Sequence, residues 1–137
     1  MFAQLDTKSV YSFMDSVVDL NSYVARAKEL GYQALGLMDR DNLYAAYHFA
    51  QLASRNGLRP LIGMEANLFY EGRKIPFRLL AKNNQGYKNL MKLATELSSG
   101  QREFTAFSDY LNAIALILPS EDWEPGMTLG SEVFIGV

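Results

Sequence analysis

Apolar positions along the chain alternate between two rhythms, and the changes of rhythm mark the elements. Phe2 to Leu5 is a short apolar run that predicts a strand, with Asp6 at its exit. Asp19 or Asn21 can cap a helix running to Leu30, on which Tyr23, Val24, Ala27 and Leu30 share one face at helical spacing. Gly31 supplies a left-handed residue that ends it. Gln33 to Met38 is a nearly unbroken apolar run, as in strands buried on both faces of a parallel sheet. Asp41 or Asn42 then caps a second helix with a stripe of Leu43, Ala46, Tyr47, Ala50 and Ala53, stopped by Asn56-Gly57. Arg59 to Tyr70 predicts a third strand, with Pro60 at its start, where a missing amide is tolerated.

Strand, helix, strand, helix, strand is the rhythm of parallel βαβ units. After it the pattern changes. Tyr70-Glu71-Gly72-Arg73 predicts a tight turn, and Lys74 to Lys82 a strand pairing antiparallel with the one before it. Pro76 puts that strand at an edge or marks an irregular start. Asn83-Asn84 caps a third helix with Tyr87, Leu90, Met91, Ala94 and Leu97 on one face and Gly100 at its end. Gln101 to Leu111 is a polar and aromatic connection with room for a short helix at 108–110, and Ala113 to Leu118 is another buried strand, stopped by Pro119. A loop rich in acid, Gly and Pro follows, and Glu132 to Val137 is the last short strand. A strand left uncovered there predicts a fragment of a larger protein, an incomplete barrel. Its open edge invites pairing with another chain, so self-association of the fragment is expected.

Composition narrows the chemistry. The chain has 137 residues, 49% hydrophobic and 20% charged, enough for a globular core. A net charge of −2 makes no electrostatic case for direct nucleic-acid binding. With no cysteine, disulfides and thiolate metal sites are excluded, and a cytoplasmic location is expected. No run approaches the ~18 apolar residues of a membrane span, so no membrane contact is expected. His48 is the single histidine, so a site built from several imidazoles cannot form within this sequence. The candidate chemistry is instead three carboxylates at or near strand ends: Asp6, Asp39 and Glu65. Ligands collect at such ends in α/β folds. Two cations lie beside them, Lys8 and Arg40, and neither can ligate a metal while protonated.

Four stretches carry a family resemblance. They are 2–12, with Asp6-Thr7-Lys8-Ser9; 27–44, with Asp39-Arg40-Asp41-Asn42; 57–65, ending Gly63-Met64-Glu65; and 80–93, with Gly86-Tyr87-Lys88-Asn89-Leu90. In this order and spacing the chain resembles the polymerase-and-histidinol-phosphatase (PHP) domain at the start of bacterial DNA polymerase III alpha subunits. The resemblance implies a distorted β/α barrel of PHP type, present here as an incomplete N-terminal part spanning residues 1–137. It implies a parent that is a DNA-directed DNA polymerase, with its other domains, replisome subunits and DNA as partners. Mg²⁺ is implied for the polymerase centre of that parent, and no cofactor for this part.

In metal-bearing members the resemblance implies a multinuclear centre linked to phosphoester hydrolysis or proofreading. The family's paired histidines on the first strand fall here on Asp6 and Lys8, its acid–histidine pair after the second strand on Asp39 and Arg40, and its third-strand acid on Glu65. Three expected histidines are thus replaced. The reading favoured is an ion-pair network in which Lys8 or Arg40 bonds to Asp6, Asp39 or Glu65, with no metal and no catalytic residue. Crowded carboxylates need such cations to stay charged, and Arg can grip a carboxylate with two parallel bonds. The alternatives are an active metal-dependent phosphoesterase or 3′–5′ proofreading exonuclease of the same fold, and a free-standing interaction module. Elsewhere the plainer readings are preferred: His48 as a solvated or packing histidine, Tyr11-Ser12 as a turn, and Lys88 with Lys92 as a solvated helix face. Trp123 either folds back or meets another part of the parent.

Overall fold

The computed structural model describes residues 3–4, 19–129 and 132–136. Asp6, Lys8, Tyr11 and Ser12 lie outside the described residues. The chain divides into two compact units, Met1–Met64 and Glu65–Val137.

The first unit holds β1 (Ala3–Gln4), α1 (Leu20–Glu29), β2 (Ala34–Arg40), α2 (Ala46–Arg55) and the opening half of β3 (Arg59–Tyr70). β1 runs parallel to β2, with Ala3 opposite Ala34 and Gln4 opposite Leu35, and β3 follows β2 in the strand order. The core is Val24 and Ala27 of α1, Leu35 and Leu37 of β2, Ala45, Phe49 and Ala53 around α2, and Leu58. Tyr23 stacks on Phe49 with ring centroids 6.2 Å apart, and its hydroxyl donates to the Gly36 carbonyl at 2.7 Å, tying α1 to β2.

Both helices end as their glycines predict. Tyr32 N–H bonds to Ala27 O and Gly31 N–H to Lys28 O; Leu58 N–H bonds to Ala53 O and Gly57 N–H to Ser54 O. These are Schellman motifs, with Gly31 at φ 78° and Gly57 at φ 75°, where a Cβ would be strained. The second is sealed by apolar contact, since Leu58 and Ala53 belong to one cluster.

Asp19 is the cap of α1. Its Oδ2 accepts from Ser22 N at 3.3 Å and from Ser22 Oγ at 2.8 Å. These bonds favour the charged carboxylate and hold its pKa below the ordinary range. A depressed pKa contributes stability above the unfolded value and loses it as pH falls through the folded one. Asp19→Ala is therefore expected to speed amide exchange of Ser22 at neutral pH. The difference from the parent protein should vanish well below the carboxyl range; a difference that persists in acid would refute the cap's electrostatic role.

Several features of this unit correct the sequence reading. β2 does not stop at Met38 but continues through Asp39 and Arg40. Its end is Asp41, at φ 59°, a left-handed conformation that Asp tolerates better than most residues. Helix α2 begins later than expected, after Ala45, with no side-chain cap. Its buried positions are Ala46, Phe49 and Ala53, whereas Tyr47, assigned to the core stripe, is 70% exposed. Leu30 likewise leaves the α1 stripe and is half exposed.

The second unit holds the rest of β3, β4 (Arg73–Ala81), α3 (Asn84–Ser98), a 3₁₀ helix (Phe104–Tyr110), β5 (Ile114–Pro119), a short 3₁₀ turn (Ser120–Asp122) and β6 (Val133–Gly136). β3 and β4 are neighbours joined through Glu71 (φ 48°) and Gly72 (φ 80°). Two consecutive left-handed residues make the primed hairpin turn whose twist matches its strands. β4 pairs antiparallel with β5, Arg78 opposite Ile117 through Ala81 opposite Ile114. β5 pairs parallel with β6, Leu116 opposite Val133. β4 thus lies between two strands and not at an edge; Pro76 is accommodated because it precedes the stretch paired with β5.

Phe77 sits 5.1 Å from Phe104 and Tyr70 5.6 Å from it, edge-on. The 3₁₀ helix is longer than expected because Phe104 and Phe107 are both buried. Helix α3 is capped by Asn83, whose side chain accepts from Gly86 N at 3.0 Å, and it ends in a third Schellman pair, Gln101 N to Glu96 O and Gly100 N to Leu97 O. Its buried face is Gly86, Asn89, Leu90, Leu93 and Leu97; Met91, expected inside, is 42% exposed. Asn89 donates to Asn112 O at 2.8 Å and accepts from Gln85 at 3.1 Å, so a polar residue holds the entry to β5 from within the core. The acidic loop is pinned by Arg73, which donates to Asp122 O at 2.9 Å and faces Glu124 at 3.5 Å. Tyr70 Oη accepts from Thr128 N at 2.8 Å. Among the described residues no helix is long and apolar enough to cross a membrane.

Candidate functional site

In the first unit the end of β2 presents Asp39 and Arg40 in succession. Neighbouring strand residues point to opposite faces. Arg40 therefore lies on the strand face opposite Leu35 and Leu37, the two β2 residues in the core with α1 and α2. Asp39 is 2% exposed, and Arg40 is partly exposed. Burying a carboxylate is costly unless it is paired, and neither Asp39 nor Arg40 is without a partner.

The loop that follows is held by one side chain that the sequence reading had cast as a helix cap. Asn42 is buried; its Nδ2 donates to Arg40 O at 2.8 Å and its Oδ1 accepts from Tyr44 N at 3.1 Å. This bridges the left-handed Asp41 and sets where the chain leaves the strand. The signal in the sequence was Asx chemistry: Asn bonds the backbone two residues on.

Glu65, on β3, is the first residue of the second unit and is 7% exposed. On its own strand it alternates with Met64 and Ala66, both buried. It too is engaged by other groups. His48 is exposed on α2, and Lys88 and Lys92 are exposed on α3. Trp123 is 40% exposed.

A family model for the PHP domain matches residues 4–123. The chain belongs to the PHP domain family. The chain is 47% identical to the N-terminal region of a DNA polymerase III subunit alpha from Streptococcus pyogenes, over all 137 of its residues and 13% of that protein. It is 33% identical to the Bacillus subtilis DNA polymerase III subunit alpha over 126 residues, 88% of this chain and 11% of that one. The chain thus spans about an eighth of the length of the curated relatives it matches. In fold it is similar to an amidohydrolase from Chromobacterium violaceum, with a TM-score of 0.62 at 11% identity over 90% of this chain and 69% of that one. The architecture is the α/β barrel type of PHP and amidohydrolase proteins, of which this chain carries an incomplete part.

The PHP family implies a metal, so the donors present have to be compared with what one needs. Among the described residues no group of three or more His, Cys, Asp or Glu side chains is gathered closely enough to hold an ion. Beside Asp39 stands Arg40, whose guanidinium has five donors and no lone pair to give. Asp39 in the first unit and Glu65 in the second each offer carboxylate oxygens, which suit hard cations better than Zn²⁺. The described donors therefore do not fit a transition-metal cradle.

Proposed function

We propose that the chain is the PHP part of a replicative DNA polymerase alpha subunit, working there as a structural domain without hydrolytic activity of its own. The observation that carries the replication reading is 47% identity sustained across the full chain to an alpha subunit. Support for the silent-domain reading comes from the donor chemistry. The resemblance puts Lys8 and Arg40 where family members carry imidazoles, beside the acids Asp6 and Asp39 in the sequence. Ion pairing then takes over the role of metal in holding the strand ends, since permanent cations repel a divalent ion and at the same time keep crowded carboxylates charged.

On this reading nucleotidyl transfer, with its Mg²⁺, belongs to other regions of the parent protein. So do the DNA and the replisome subunits, and the domain's own partners are the remaining polymerase domains. A bacterial replicative enzyme of this kind works in the cytoplasm. The gene provides a direct check. A reading frame continuing well past Val137 into a polymerase module is the expected result, and one stopping soon after it would favour a free-standing interaction module.

For the site itself, elemental analysis after dialysis against Zn²⁺ or Mn²⁺ should find no stoichiometric metal, and simple phosphoesters should remain intact. A metal-activated water needs several neutral or anionic ligands and an open position. Retention of roughly one equivalent of metal, lost in Asp39→Ala or Glu65→Ala, would replace this proposal with the phosphoesterase or proofreading exonuclease reading.

A further inference from the structure

We draw no further inference here: the strongest candidate, strand β6 of the second unit, which leaves Phe134 at 55% and Ile135 at 45% exposed at the last place in the strand order of the described residues, carries nothing because nothing in the structure shows what covers it.

Discussion

Phe49→Ala is expected to destabilise the first unit by roughly 3–5 kcal/mol, the cost of emptying a fully buried aromatic site. Phe49 has no exposed surface, touches the cluster formed by α1, β2 and α2, and stacks on Tyr23. Two residues away on the same helix, Tyr47→Ala should change stability by no more than about 0.5 kcal/mol, because Tyr47 is mostly solvated. The Tyr47 hydroxyl accepts from Gln51 at 2.8 Å, but that bond is exposed and competes with water. Urea titration of both variants checks the pair together. Equal losses would mean that α2 is rotated relative to the face described.

Gly86→Ala should be destabilising although alanine is the better helix former. A Cβ at Gly86 would lie 2.2 Å from Ala113 O, 3.2 Å from Ala113 C and 3.2 Å from Ala81 Cα, all of them backbone. None can swing aside. Ala113 is at φ 60°, and its carbonyl accepts from Lys82 N at 2.9 Å, so the obstructing oxygen is fixed from the far side. Helix propensity alone would favour alanine by about 1 kcal/mol. Overpacking of this kind costs roughly 3 kcal/mol, so the net loss of about 2 kcal/mol lowers the melting temperature of a chain of this size by about 7 °C. The sign of the change is the test, since a rise in melting temperature would show that α3 does not approach the β5 entry as closely as described.

These two positions also show what could be read from the chain before its structure. The span of β3 and the helix stops were legible because each rests on local chemistry. Arg59 to Tyr70 is a β-rich run bounded by Gly57 and a two-residue turn, and Gly31, Gly57 and Gly100 stop their helices for a backbone reason that needs no partner. Which face of a helix goes inward was less legible. Around α2 apolar residues occupy several directions, and only packing against Leu35 and Leu37 selects Phe49 over Tyr47. On α3 the same ambiguity hid Leu93 behind Met91, and the inward-facing Gly86 and Asn89 have no hydrophobic signal at all.

At the site, the residues at the β2 exit were found from their charge and position, but their setting was not. Asp39 and Arg40 were expected just past the end of the strand and are part of it, because the ladder continues until a left-handed residue interrupts it. Asn42 was missed as a clamp because the same residue type also caps helices. Its neighbours Leu43 and Tyr44 gave no clue that the helix starts only at Ala46.

The Asn42 clamp bears on how such a site can evolve. Two of its bonds go to main-chain atoms, the carbonyl of residue 40 and the amide of residue 44. Neither of these two bonds uses the side chain of residue 40. On the proposed reading of position 40, a lineage can exchange a ligand for a cation there, or back again, through a single substitution that leaves both of these bonds in place. Loss and recovery of chemistry are then separated from the survival of the fold, and inactive PHP domains can persist as scaffolds without first having to rebuild the strand end.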